Sequence, residues 1–444
     1  MKLWGKGANL SSEIETFTIG EDQKLDILLA PYDVLGSMAH ARMLKDIGLL
    51  TGIEWRQLQD ELLKIYHSIN SGSFQIDESV EDIHSQVEFI LTEHLGTIGK
   101  KIHSGRSRND QVLLDIKLYL RDQIREQTEL IQALIETLLE LGEKHGDVII
   151  PGYTHMQAAM PSSFGLWFGA YAETMIDDLK FFKAAFDIVN QNPLGSAAGY
   201  GNSFPLDRLA TTNLLGFDCP HVNVVAAQMS RGKTETALAF AIASLSGTLG
   251  KMAMDICLYN SQDLGFLSFP DDITTGSSIM PHKKNPDVFE LIRARSNHLQ
   301  TLPQQIISIT SNLPSGYHRD MQLTKEVLLP ALDHFKACIR LMTATINQVI
   351  VNKAAIEDPR YDLIYSVENV NREVLNGISF RDAYMNVAKD IADGTFKPSR
   401  ELQHSHLGSI GNPGGKEILE KLRNTMDKFD FSTYSTKLQE LIES

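Results

Sequence analysis

Five polar joints carry the residue types that do chemistry. The first, Lys100-Lys101-Ile102-His103-Ser104-Gly105-Arg106-Ser107-Arg108-Asn109-Asp110-Gln111, runs into a segment without glycine or proline. Ser107 or Asn109 caps the helix that follows, and Arg106 and Arg108 beside its free N–H groups suit an anion. The second, Pro151-Gly152-Tyr153-Thr154-His155-Met156-Gln157, places His155 next to Thr154 between two helical segments, as a proton carrier or as a histidine satisfied by backbone. His84, in Glu81-Asp82-Ile83-His84-Ser85-Gln86, sits among acids on an amphipathic helix. The fourth joint is the richest: Pro270-Asp271-Asp272-Ile273-Thr274-Thr275-Gly276-Ser277-Ser278-Ile279-Met280-Pro281-His282-Lys283-Lys284-Asn285-Pro286. An irregular stretch of this length in a helical body is usually functional. It combines the hydroxyls of Ser277 and Ser278, the ammonium of Lys283, and a helix start with Asn285 as N-cap and Pro286 as first helical residue. Such a set suits a carboxylate whose charge grows during reaction. The fifth is Tyr317-His318-Arg319-Asp320-Met321-Gln322-Leu323-Thr324-Lys325.

Two decoys fall away. The glycine-rich run 195–201 lacks the strand-turn-helix context of a dinucleotide site and reads as a turn. The histidines show no metal-ligand spacing.

The elements that position these joints read as long helices. No proline stands between Pro31 and Pro151, between Pro220 and Pro270, or between Pro359 and Pro398. Residues 106–141 form one helix of about 54 Å at ~1.5 Å per residue. Its seam Leu113, Lys117, Leu120, Ile124, Gln127, Ile131, Leu134, Leu138 and Leu141 follows a near-heptad repeat, which packs along a bundle. Residues 161–190, 226–264, 286–312 and 325–352 read likewise, with no convincing strand series. The third of these five helices is apolar nearly all round and rich in Ala, Ser and Gly, so it is expected buried on every side. Its uncharged run 236–250 is too short to span a bilayer. Five such helices expose apolar flanks unless copies associate. The expected fold is all-α, divided into an N-terminal helical region 1–105, a central bundle 106–355 and a C-terminal helical region 356–444.

Composition excludes whole classes. The 444-residue chain is 43% hydrophobic with a formal charge of −15, which speaks against a nucleic-acid or anionic-membrane partner. Cys219, Cys257 and Cys338 are odd in number and far apart, so the expectation is neither a disulfide framework nor a zinc site, and a reducing cytoplasm. The first residues carry no apolar run to serve as a signal peptide.

Gly276-Ser277-Ser278-Ile279-Met280-Pro281-His282-Lys283-Lys284-Asn285-Pro286 resembles the signature loop of the fumarase/aspartase superfamily, whose members eliminate across C–N or C–O bonds and mostly release fumarate. The block from His103 to Gln111, Trp4-Gly5, and the spacing of Tyr317, Gln322 and Lys325 resemble the argininosuccinate lyase family within it. The likeness spans about residues 3–400. It implies a mostly helical three-domain subunit, a homotetramer around a core of 20 helices, and active sites shared among three subunits. It implies no metal or organic cofactor. Implied as catalytic are Ser277, as the base, and His155 with Thr154, as proton donors to the leaving nitrogen; an older family assignment exchanges the roles of Ser and His. Implied as substrate contacts are Asn109, Thr154, Ser278, Lys283, Asn285, Tyr317, Gln322 and Lys325, with Arg108 and His84 as site wall. The implied reaction expels arginine from argininosuccinate and releases fumarate. The rivals are another fumarate-releasing lyase, such as adenylosuccinate lyase, and a non-catalytic crystallin of the same fold. Three departures bear on the arginine end: His282 stands where the family has Gln, His318, Leu323 and Thr324 alter the fifth joint, and Gly20-Glu21-Asp22-Gln23 stands where a substrate-contacting Ser is expected.

Overall fold

A computed structural model of the chain describes residues 12–77 and 80–444. Trp4 and Gly5 lie outside the described residues. The principal elements, in chain order, begin with α1 (Ala30–Asp46), α2 (Gly52–Asn70), α3 (Ile83–Leu95) and α4 (Arg108–Lys144). A hairpin follows, β1 (Ile149–Thr154) with β2 (Gln157–Ser163), leading into α5 (Phe164–Val189). Then come α6 (Lys233–Tyr259), α7 (Asp287–Leu299), α8 (Leu302–Thr310) and α9 (Leu323–Ile346). The C-terminal helices are α10 (Ser366–Leu375), α11 (Phe380–Ala392), α12 (Gly415–Met426) and α13 (Phe431–Glu443).

Helix α4 carries the bundle. Ser107 caps it: its Oγ accepts from the Asn109 amide at 3.3 Å, and the Asp110 carboxylate accepts from the Ser107 amide at 2.8 Å. Two orphan donors at the helix start are thereby satisfied. All nine seam residues from Leu113 to Leu141 are buried, the polar Lys117 and Gln127 included. Helix α4 packs on α5, α5 on α6, and α6 on α7, while α9 closes against α4 and α7. Gly250 of α6 lets α7 come close, since a Cβ there would stand 3.3 Å from the Ser296 Cβ.

Several expectations need correction. The sequence 149–163 forms a two-stranded antiparallel hairpin, so the helix expected from 161 begins at Phe164. The β-branched Ile149 and Ile150, with prolines at 151 and 161, favour extended backbone over helix. The stretch 226–264 breaks at Gly232, whose φ of +80° a helix interior does not admit. The stretch 286–312 breaks at Gln300-Thr301, ahead of Pro303. Helix α6 is long and apolar enough to cross a membrane by composition alone, yet Leu238, Ile242, Leu245, Leu249, Met252 and Ile256 face the core. It is not buried on every side: Phe240 and Met254 are exposed, as are Phe181 on α5, Leu291 on α7 and Leu341 on α9.

Candidate active site

The start of α4 and the start of α9 meet in a cavity of about 110 Å³. Arg108, Asn109 and Val112 come from α4, and Arg231 from the turn before α6. Tyr317, Arg319, Gln322 and Lys325 come from the joint into α9. Asp22 and Asp26, on a short helix Asp22–Asp26, and Asp82, the N-cap of α3, complete the wall.

Each cation of this wall has an acidic partner. Arg108 pairs with Asp82 and with Glu81 at 3.1 Å. Burial opposes its charge, but the two carboxylates outweigh burial and hold its pKa above the ordinary arginine value. Arg319 reaches Glu81 at 2.9 Å and donates to the Thr18 carbonyl at 2.6 Å. Lys325, nearly inaccessible, lies 2.5 Å from Asp22 and 2.6 Å from Asp26. Burial works against its ammonium, yet the two aspartates raise its pKa. Burial also raises the Asp22 carboxyl, with Lys325 opposing. Gln322 Nε2 donates to the carbonyls of Thr18 and Ile19 at 3.2 and 2.8 Å, tying the N-terminal segment to the joint. Arg231 Nε faces Glu235 at 2.8 Å, and its Nη2 donates to the Met321 carbonyl at 3.0 Å.

The altered residues of the fifth joint stand clear of the cavity wall. Leu323 faces outward, and Thr324 is buried with its hydroxyl donating to the Met321 carbonyl at 2.7 Å. Asp22, where the family has Ser nearby, is one of the two counter-ions of Lys325.

His84 does not line the cavity. It is buried behind Asp82, with Nδ1 2.7 Å from Asp33 and 3.5 Å from Asp115. Burial disfavours the imidazolium, but the facing acids win and raise its pKa to about 9. Asp33, His84 and Asp115 bring ligand atoms within 4.8 Å of one another, a cluster that sequence spacing does not reveal. An imidazolium paired with Asp33 accounts for it, while burial and the neighbouring Asp33 push the Asp115 carboxyl well above the usual carboxylate range. Arg106, expected beside the helix end, is also buried, donating to the Ser37 hydroxyl at 2.9 Å. The glycine run is a turn pinned to α4, because Asp110 accepts the amides of Gly195 and Ala197 at 3.0 and 2.8 Å.

The remaining candidates lie on two exposed projections that contribute nothing to the cavity wall. Thr154 and His155 occupy the tip of the β1–β2 hairpin. Thr154 pairs with Gln157, leaving His155 and Met156 as a two-residue turn with φ of +53° and +62°. That is the backbone of a type I′ turn, normally made by Asn-Gly, so side chains here hold a costly conformation. The second projection is the loop before α7. Thr275 and Asn285 exchange backbone hydrogen bonds, Thr275 N to Asn285 O at 3.2 Å and Asn285 N to Thr275 O at 2.8 Å, and close a loop at its neck. Asn285 is engaged there, so α7 starts at Asp287 with Pro286 as its flanking residue, one step later than expected. Within the loop, Ser277 Oγ accepts the amides of Ile279 and Met280 at 3.4 and 3.2 Å. Donors aimed at a hydroxyl oxygen favour its alkoxide form. Ser278, His282 and Lys283 are exposed, and Lys284 pairs with Asp271.

Sequence reading missed Arg231, Arg319, Asp22, Asp26 and Asp82 as wall residues. Arg231 had one local signal, its place in Ser230-Arg231-Gly232-Lys233 at the mouth of a long helix.

This bundle of long helices, with its polar joints at the helix ends, matches a family model described as Lyase over residues 8–300, which makes it a lyase-family chain. Among solved structures, EDDS lyase in complex with formate has the same fold, with a TM-score of 0.77 at 22% identity over 98% of this chain and 95% of its own. Argininosuccinate lyase of Parabacteroides distasonis is 56% identical over 99% of both chains. Argininosuccinate lyase of Bacteroides thetaiotaomicron is 56% identical over 97% of this chain and 96% of its own. The chain belongs to the argininosuccinate lyase family.

Proposed function

We propose that the chain catalyses the elimination of arginine from argininosuccinate with release of fumarate. The observation that carries this reading is the cavity wall, where Arg108, Arg231, Arg319 and Lys325 alternate with Asp22, Asp26 and Asp82. Argininosuccinate presents three carboxylates and a guanidinium, and only a wall of both signs matches it without leaving buried charge unpaired.

The reaction removes a weakly acidic proton from the carbon beside a carboxylate and expels the guanidino nitrogen from the next carbon. It needs a base at the proton and cations for the doubly charged aci-carboxylate. Ser277 is the proposed base, favoured by the two amides on its Oγ, and Lys283 and Ser278 the groups that meet the growing charge. His155 with Thr154 delivers a proton to the leaving nitrogen. Asn109, Tyr317, Gln322 and Lys325 hold the substrate with Arg108, and Asn285 sets the loop neck.

Three joints that do not share a cavity within one chain call for a shared site, and a homotetramer provides it. The exposed Phe181, Phe240, Leu291 and Leu341 on four bundle helices support that assembly. The division at residues 105 and 355, a cytoplasmic location and a reaction without metal or organic cofactor complete the reading. The test is ultraviolet absorbance of fumarate formed from argininosuccinate, with adenylosuccinate as control. No absorbance change from argininosuccinate would overturn it.

A further inference from the structure

Lys117 stands on the α4 seam, wholly buried, at a position where the heptad spacing calls for an apolar side chain. Its Nζ donates to Thr234 Oγ1 at 3.2 Å and to the Ile188 carbonyl at 3.4 Å. Thr234 precedes Glu235 in the first turn of α6. Glu235 Oε2 accepts the Gly232 amide at 2.7 Å, and its Oε1 faces Arg231, which lines the cavity. The connection from the bundle core to the site thus runs from Lys117 to Thr234 by a hydrogen bond, from Thr234 to Glu235 along the backbone of α6, and from Glu235 to Arg231 by an ion pair.

The charges of the wall are uneven along it. Lys325 between Asp22 and Asp26 leaves one excess negative charge, while Arg108 and Arg319 are matched by Glu81 and Asp82. Arg231 and Glu235 alone would cancel. We propose that Lys117 is a positioning residue for substrate binding: its ammonium, bonded to Thr234 next to Glu235, offsets that carboxylate and leaves Arg231 a net positive pole for a substrate carboxylate. The inference rests on the function proposed above.

The groups facing Lys117 are Glu235 on α6, Arg121 on its own helix, and Cys219 and His221 on the segment between α5 and α6. Burial lowers the ammonium to about 7, with Glu235 opposing and Arg121 adding to the shift. Burial also lowers His221 to about 4, so it is neutral where Lys117 titrates. The positive pole is therefore present below about pH 7 and fades above it. Carboxylate binding weakens as pH rises through that value.

The experiment compares KM and kcat for argininosuccinate at about pH 6 and about pH 9 in the intact enzyme, Lys117→Met and Lys117→Arg. Removing the charge should raise KM about tenfold at the lower pH, with kcat within about twofold and little effect at the higher pH. Lys117→Arg, charged throughout, should keep a low KM at both. A natively folded Lys117→Met with unaltered KM at about pH 6, or a Lys117→Arg enzyme that repeats the wild-type rise, overturns the proposal. If Lys117→Met does not fold, the Lys117→Arg profile decides alone. No turnover by the unaltered chain would remove the functional reading and this inference with it, whereas turnover with a KM independent of residue 117 removes only the inference.

Discussion

Arg108 and Arg319 converge on one oxygen: both guanidinium groups contact Glu81 Oε1, at 3.1 and 2.9 Å. The arginines are far apart in sequence, one opening α4 and the other preceding α9, so Glu81 clamps two joints together. Two like charges on one wall repel unless a carboxylate lies between them.

Glu81→Gln is therefore expected to destabilise the chain. An exposed ion pair contributes ~0–1 kcal/mol and breaking a buried one costs about 3–5, so about 2 kcal/mol fits this partly buried position. Burial alone would raise the Glu81 carboxyl, but Arg108 and Arg319 overcome it and hold the carboxyl below the usual range. Its contribution is complete above the unfolded carboxylate value of about 4.3 and is lost as pH falls through the folded value. Urea unfolding should show a constant gap between wild type and variant above about pH 5 that closes toward acid. A gap independent of pH would show that the Glu81 charge is not what joins the two arginines.

Ser277→Ala is expected to leave helix content unchanged and to lower turnover by ~10²–10⁴-fold, the range for a proton-transfer group. Near-normal fumarate release from a natively folded variant would exclude Ser277 as the base. Lys283→Met tests the neighbouring cation. Succinate should bind it at least about tenfold more weakly if the ammonium meets a substrate carboxylate.

The hairpin tip gives a prediction of opposite sign. Met156 holds a φ of +62° and is largely exposed, so Met156→Gly relieves backbone cost without removing a core contact. Thermal unfolding should move upward, by roughly 1 kcal/mol of stability. His155→Asn keeps a residue that tolerates positive φ, so the turn should persist while turnover falls. A tip selected only for folding would gain stability from Met156→Gly with no change in kcat. A tip that aims His155 should lose activity as the turn loosens.

Long helices were legible because their signals are local and repeated: α4 lacks Pro throughout and Gly until Gly142 in its last turn, keeps a near-heptad seam, and begins at a Ser107 cap. The hairpin was not, because Ile149 to Ser163 gives only short extended runs whose pairing depends on a turn made by His155 and Met156 rather than Asn-Gly. Arg108, Asn109, Tyr317, Gln322 and Lys325 could be picked out by motif, whereas Asp22, Asp26 and Arg231 could not. Their place on the wall comes from helices distant in sequence, such as the meeting of Lys325 with Asp26 across 299 positions. His84 shows the limit of motif reading in the other direction. A histidine in an acidic run looks like a surface group, and only packing against Asp33 and Asp115 shows that it is buried.

Assembly of the site gives the most demanding prediction. The cavity residues, the hairpin tip with His155 and the loop with Ser277 occupy separate places on one chain, and neither projection reaches the cavity wall. If three subunits each contribute one of these to every site, a site can be whole although no chain is. His155→Asn and Ser277→Ala subunits should each be inactive alone. Mixed in equal amounts, unfolded and refolded together, they assort at random. A given site then draws an intact hairpin from one subunit with a probability of about one half, and an intact loop from another independently with the same probability. Roughly a quarter of the sites should be wild type, as symmetry with shared interfaces requires. Fumarate release by the mixture should approach that fraction of the unaltered enzyme, against parents refolded separately. Hybrid tetramers demonstrated by mass and still without activity would mean that each chain gathers its own hairpin and loop, and the shared site would have to be abandoned.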